Sequence, residues 1–514
     1  MLILPDEILY LITSHLPNRD IKNVRLTNRR LRSTSILRFD RVFLSPSYKN
    51  IEVLRAIAGH KEFCCQVKEL VYDDARFERY TVWTEGEVLH EWEDDRKPME
   101  EFISRCEQNL DRVGGDVAGL LRARTGANPK PGEELMDVHD NFSLYQQLYE
   151  DQQDIIEHGL DTMVLKDAFL AFSSLEKVTV TSEAHQLGIH APRFPTPLIR
   201  SFPPSFNYPA PWPWSGRFDD FNGTSLLQPW ARVKTCWRGP TVVLNALANC
   251  ERSIPGFSID VKRNLRGIAH QFFVPSSPEL KNFEKMCGNL EQLDLAINVG
   301  RDDIYNGFRH ITSGPLRRAL SKATRIRYFS LHTNADISHS GDMERYTDAH
   351  TDALQSIPLE SWPDLRHLTI SHIPVIGETL LTFLSELPPG IGSLTFINLY
   401  PFQMQWSELL EQFKSRLNYT GGKPDITIAK SQGENVSRKV WIRDEVARFL
   451  DGGHNPFTGG LNGNEIQWGF GTVRDDYDES VEEPWEPDRR MHVQISPGVW
   501  EERRPDSLLD DSGI

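Results

Sequence analysis

Apolar residues along this chain recur in one short burst: apolar, two variable, apolar, one variable, apolar. It appears at Val67-Leu70-Tyr72, Leu175-Val178-Val180, Ile254-Phe257-Ile259, Leu290-Leu293-Leu295, Ile326-Phe329-Leu331, Leu365-Leu368-Ile370 and Ile391-Leu394-Phe396. The last two positions of each burst share one face of an extended strand, because side chains alternate faces with period two. Between the bursts lie segments with helical spacing, such as "AFLAFSSL" at 168–175, "PLRRALSKAT" at 315–324 and "VIGETLLTFLSEL" at 375–387. Strand and helix alternate, which predicts an α/β fold.

The opening of the chain follows a different rhythm. In "LPDEILYLITSHLPNRDIKNVRLTNRRLRS", residues 4–33, Pro5 suits the first turn of a helix and Asp6 and Glu7 suit its positive end. Ile8, Leu9, Ile12 and Leu16 recur at helical spacing until Pro17 stops the helix. Asn18 can cap a second helix carrying Ile21 and Val24, and Asn28 a third carrying Leu31. Three short helices in about forty residues are too few to bury their own apolar surface, so part of it must meet a partner.

The strand signature is a degraded leucine-rich-repeat pattern. Its central residues 257, 293, 329, 368 and 394 stand 36, 36, 39 and 26 apart, mostly wider than the roughly 20 to 29 of regular repeats. An irregular α/β solenoid with insertions is expected, with one doubly wound α/β domain as the alternative. The intervening strand positions then expose Lys177, Thr179, Asp260, Ser330, His332, Thr369, Ser371 and Thr395 on one polar face.

At 514 residues the chain exceeds what one core fills, and 39% hydrophobic with 25% charged residues describes a globular protein. The net charge of -16 argues against a surface that coats nucleic acid or acidic lipid, although residues 1–50 carry nine basic against four acidic residues. Six scattered cysteines without a C-x-x-C pair fit reduced thiols, and no apolar run reaches the roughly 18 residues of a membrane span. These features predict a soluble protein of the cytoplasm or nucleus.

The run Leu4-Pro5-Asp6-Glu7-Ile8-Leu9, then Ile12, Leu16-Pro17, Ile21, Val24-Arg25-Leu26-Thr27 and Arg30-Leu31, resembles the F-box, especially its divergent fungal form. The resemblance covers residues 2 to about 45, under a tenth of the chain. The tryptophan that many F-boxes carry late in the motif is absent, and Phe39 and Phe43 are the candidates to stand in for it. The resemblance implies that Leu4, Pro5, Ile8, Leu9, Leu16, Ile21, Val24, Leu26 and Leu31 divide between a small core and a seat for a Skp adaptor. It implies, further, that the chain is the substrate receptor of an SCF-type cullin–RING ubiquitin ligase, with the strand face holding the client. A solenoid scaffold that binds partners without a ligase is the alternative.

The expected organisation is an F-box helical module at 1–45, a leucine-rich-repeat-like body at 46–430 with insertions at 78–134 and 191–230, and a last helix with an acidic, loosely ordered tail at 431–514. The second insertion holds nine of the 32 prolines together with nine aromatic residues between Pro192 and Trp230. Trp212 and Trp214 could anchor a client there, while burial over the edge of the body is the commoner fate of such loops. "VWIRDEVARFL", 440–450, is expected to be the last helix.

No catalytic motif emerges. "TGGKPD" at 420–425 lacks the upstream glycine of a phosphate loop, and "GFGTVR" at 469–474 lacks the third glycine of a dinucleotide site. His332, His339, His367 and His372 lack the cysteine or carboxylate spacing of a metal site. The sequence therefore reads as a binding protein without enzymatic activity, metal or cofactor.

Overall fold

The computed structural model describes residues 4–79, 98–112, 114–125, 129, 132–185, 192–209, 211, 230–261, 267–275, 277–300, 304–335, 352–416, 423–432, 435–457, 463–476, 481–485, 491–496 and 499–503. The chain divides into two compact units, residues 1–365 and 366–514.

The first unit opens with helices α1 (Asp6–Ser14), α2 (Asn18–Thr27) and α3 (Arg29–Thr34). Six strands follow in one sheet, β1 (Arg41–Leu44), β2 (Glu69–Asp73), β3 (Lys177–Thr181), β4 (Gly256–Asp260), β6 (Gln292–Asn298) and β7 (Tyr328–Thr333). Each runs parallel to the one before, and the short β5 (Ile268–Ala269) also pairs with β6. Parallel neighbours need a crossover, and helices supply it, beginning with α4 (Tyr48–Ala58) between β1 and β2.

The recurring burst explains the register. Leu70, Val178, Phe257, Leu293 and Phe329, the central residue of each copy, stand opposite one another in successive strands and are all fully buried. Val42 of β1 extends the row, a copy the spacing search did not find. Trp362 closes this core from beyond the last strand: its ring centroid lies 4.7 Å from Phe329, and its indole N–H donates to the Leu320 carbonyl at 3.2 Å.

The described parts of the two insertions pack together. Between β2 and β3 lie α5 (Pro98–Arg112), α6 (Val117–Thr125), α7 (Val138–His158) and α8 (Leu160–Ala171), and after β3 comes α9 (Pro197–Ser201). The helix expected at 168–175 is thus the end of α8. Phe102 and Cys106 of α5, Tyr145 of α7, Leu198 of α9 and the buried Phe77 and Phe206 form one apolar cluster. Asn207 crosses it with polar bonds, receiving Asn109 Nδ2 at 3.0 Å and donating to the Cys106 carbonyl at 3.0 Å. The described part of the proline-rich stretch is therefore packed down. Trp212 and Trp214 lie outside the described residues.

The second unit begins with parallel strands β8 (His367–Ser371), β10 (Ser393–Ile397) and β12 (Asp425–Gln432), aligning Leu368, Leu394 and Ile426 in the same manner. Two short strands, β9 (Pro374–Ile376) and β11 (Tyr400–Phe402), pair beside them. From β12 the sheet continues antiparallel through β13 (Asn435–Ile442), β14 (Thr472–Asp475) and β15 (Glu482–Pro484), and β16 (Met491–Ser496) pairs with β17 (Val499–Arg503).

The described parts of the acidic tail include paired strands. The acidic residues sit across from bases: Arg438 pairs with Asp475 at 3.3 Å, Arg474 with Glu482 at 2.9 Å, and Lys439 with Asp476. The expected helix at 440–450 also starts later, at Asp444, because Val440, Trp441 and Ile442 belong to β13. In "GFG", Gly469 and Gly471 take φ of +84° and +87°, and a Cβ on Gly471 would meet Val440, Trp441 and Ile442 within 2.8 Å. A tight turn into β14 accounts for both glycines. No described helix is long and apolar enough to cross a membrane.

Where β2 ends, Asp73 and Asp74 are both buried. Asp73 accepts the Ala75 N–H at 3.0 Å, with His185 Nε2 3.7 Å from its other oxygen. Burial pushes the Asp73 carboxyl up to about 8 and that of Asp74 to about 6. The folded chain thus keeps a proton that the unfolded chain releases near pH 4, so stability from this group falls as pH rises toward 8. Asp73→Asn should gain about 2 kcal/mol relative to wild type between pH 6 and pH 8 in urea unfolding. An unchanged difference at the two pH values would show that Asp73 is ionised in both.

Candidate functional site

The amino-terminal helices present the first of two candidate surfaces. Leu9 and Thr13 of α1, Ile21 of α2 and Leu31 of α3 are their buried side chains, so four residues form almost the whole interior. Such a small core needs polar support. Arg38 donates to the Ser14 and Leu16 carbonyls at the end of α1, satisfying groups that a helix terminus leaves open. Asn18 and Arg38 exchange bonds of 2.6 and 2.9 Å, and Arg25 donates to the Ser35 carbonyl at 2.6 Å. Arg30 joins α3 to the chain start through Asp6 at 2.7 Å and the Leu4 carbonyl at 2.6 Å. Asn28 caps α3 by accepting the Arg30 N–H at 2.8 Å.

The opposite face of α1 is open. Ile8, Leu11 and Ile12 are 42%, 56% and 39% exposed, and their i, i+3 and i+4 spacing places them side by side. Leu26, at the end of α2, is 86% exposed. Of the residues expected to divide between core and seat, Leu9, Ile21 and Leu31 are core, Leu4, Leu16 and Val24 are half-buried, and Pro5, Ile8 and Leu26 are exposed. Tyr10, Leu11 and Ile12 were absent from that set. Their signal was the unbroken run "ILYLI" at 8–12, where a one-sided helix would carry polar residues.

The second surface is the outer face of the strands. Register places Val71, Thr179, Ser258, Asp294 and Ser330 in one row of the first unit, and Glu69, Lys177, Gly256, Gln292 and Tyr328 in the row before it. Thr179 is buried, contrary to expectation, and donates to Glu69 at 2.7 Å. Asp260 is partly covered, taken up by Arg193 through bonds of 2.9 and 2.6 Å. Arg193 also reaches Glu183 at 2.9 Å, and neighbouring Phe194 lies 6.3 Å from Phe43. Residues 193–194 thus bridge from β1 to β4 and close that part of the face.

Lys177, Ser330 and His332 remain partly exposed around a residue the sequence reading missed, Asp294. Asp294 accepts from Ser258 at 3.2 Å and lies 3.7 Å from His332 Nε2. Burial opposes its ionisation, but hydrogen bonding and charge from His332, with Lys177 and Ser330, outweigh burial and hold the carboxyl well below its ordinary value. Ser330 Oγ sits 2.6 Å from the same Nε2. A nucleophilic relay needs acid and hydroxyl on opposite ring nitrogens, so Ser330, His332 and Asp294 form a polar cluster without that geometry.

In the second unit Thr369 and Thr395 are partly exposed, but Ser371 is buried against His372, with its Oγ 2.7 Å from Nδ1. His372 Nε2 lies 2.8 Å from Asn398 Nδ2, and both residues hold positive φ at the strand ends. That histidine secures a turn. His367 Nδ1 lies 2.6 Å from Ser393 Oγ, and His339 lies outside the described residues.

No family model matches this chain, and no curated protein does either.

Arg38→Met should loosen the first helices without touching the sheet, since two carbonyls at the end of α1 lose their donors. Limited proteolysis should then release a peptide from before Arg41 roughly ten times faster, in line with about 1–3 kcal/mol for unpaired groups. Cleavage at the wild-type rate would show that these bonds do not hold the helices.

Proposed function

We propose that this chain is the substrate receptor of an SCF-type cullin–RING ubiquitin ligase. In this reading α1 to α3 are an F-box that seats a Skp-family adaptor, and the strands and helices after them are an irregular leucine-rich-repeat-like solenoid that holds the client. The observation that carries it is the open row Ile8, Leu11 and Ile12 beside a core of four side chains, with the F-box order of residues around it. Contiguous apolar side chains on so small a bundle mark a binding surface.

The client side rests on the partly exposed cluster of Lys177, Asp294, Ser330 and His332. Mixed charge and hydroxyls on rigid strands favour recognition of a polar protein surface. The receptor contributes proximity: it holds a client lysine beside a conjugating enzyme and so raises the local concentration of the reacting pair. A scaffold without a ligase would use the same strand face and need no adaptor.

Ile8→Asp with Leu11→Asp should abolish co-purification of a Skp-family adaptor, since losing central apolar anchors costs about 2 kcal/mol or more each. The thermal midpoint should stay near wild type, because both side chains face water in the free chain. Undiminished adaptor binding by the folded double variant would reject this face of α1 as the seat, and failure of the wild-type chain to bind any Skp-family adaptor would reject the ligase reading in favour of the scaffold.

A further inference from the structure

The second unit carries an open cleft of about 390 Å³ at the end of β12, lined among others by Lys430, Asn464, Glu465, Trp468 and Trp485. That volume lies within the range of sites that hold small ligands. Its walls are an aromatic platform and a set of N–H donors. Trp468 and Trp485 stack with centroids 4.3 Å apart and planes 18° from parallel, while Trp468 is 54% exposed and leaves a wide flat surface to solvent. The pair is fixed by backbone bonds, Gly469 N–H to the Trp485 carbonyl at 2.9 Å and Trp485 N–H to the Gly471 carbonyl at 3.1 Å.

The donors are incompletely used. Lys430 donates to the Asn464 carbonyl, which engages one of its three N–H bonds. The Trp485 indole N–H has no acceptor among the described residues, but it is sealed from the cleft and leaves Lys430 as the donor a ligand can reach. Glu465 also lines the cleft and its charge favours the Lys430 ammonium, but its side chain is exposed, where water weakens that pull. Burial accordingly lowers the Lys430 ammonium to about 8, against which Glu465 works. A half-buried ammonium with two N–H bonds left over calls for an acceptor bearing negative charge.

We propose that this cleft binds a carboxylate carried on a flat apolar group, the oxygens taking the remaining N–H donors of Lys430 and the apolar body lying against the exposed face of Trp468. A cation would meet Lys430, and a neutral apolar ligand would leave the remaining donors of Lys430 unpaired. A phosphate dianion would bring two charges to one ammonium. The ligand chemistry has two sources, the carboxyl terminus of a peptide ending in an aromatic residue and a free organic acid. The site lies in the second unit and stands independently of what the first helices dock.

The full chain should be titrated calorimetrically at pH 7 with phenylacetate and phenylacetamide, and with Gly-Gly-Phe as free acid and as carboxy-terminal amide. At least one acid should bind ten-fold or more tightly than its own amide, and the tighter acid identifies the source. Lys430→Met should abolish the preference for acid over amide, and Trp468→Ala should weaken acid and amide together. Acid affinity should also fall several-fold between pH 7 and pH 9 as the ammonium loses its proton. Equal affinity of acid and amide, absence of binding by either acid at 10 mM, or an undiminished acid preference in Lys430→Met would overturn the proposal. The comparison of acid with amide uses the wild-type chain and does not depend on how any variant folds.

Discussion

Three helices that share four buried side chains cannot place all their apolar residues inside, and this shortage of interior governs the amino terminus. Leu9, Thr13, Ile21 and Leu31 use what interior there is. Ile8, Leu11, Ile12 and Leu26 are left in water. The helices keep their arrangement through arginine side chains bonded to backbone carbonyls at helix and loop ends, chiefly from Arg25, Arg30 and Arg38. Polar bonds thus hold an apolar face open, which is the condition for a second subunit to complete the bundle.

The sheet meets a different demand. Parallel strands are stabilised when each buries the same row as its neighbour, and the rows through Leu70 to Phe329 and through Leu368 to Ile426 satisfy it in their respective units. With one face committed to the core, the other is available for polar residues. In the first unit Arg193 and Phe194 occupy part of that outer face, which concentrates the accessible polar groups around Asp294. In the second unit the antiparallel extension from β12 to β15 brings Trp468 and Trp485 together beside Lys430.

How much of this was legible depended on whether the deciding contacts were local. The central residues of the seven bursts reveal the register because one strand's pattern is set by its own alternation. Val42 and Ile426 escaped because their strands carry shorter or polar-flanked versions of it. The α1 to α3 boundaries follow from Pro5, Pro17 and Asn28, which act on their immediate neighbours. The cover over Thr179, the pairing of Arg193 with Asp260 and the cluster joining α5, α7 and α9 depend on residues far apart in sequence, and alternation alone places Thr179 and Ser371 in solvent. The ion pairs of Arg438, Lys439 and Arg474 with Asp475, Asp476 and Glu482 are equally invisible to composition, because they too join residues apart in sequence. Lys430, Trp468 and Trp485 carry no motif because a site assembled from three segments has no fixed spacing.

The most direct test of an incomplete amino-terminal bundle is amide hydrogen exchange of the full chain with and without a stoichiometric Skp-family adaptor. Exchange in residues 6–27 should slow markedly on adding the adaptor, while the strands from 41 onward keep their rates. Unaltered exchange across 6–27 at saturating adaptor would contradict the account, since the exposed face of α1 would then have no such partner.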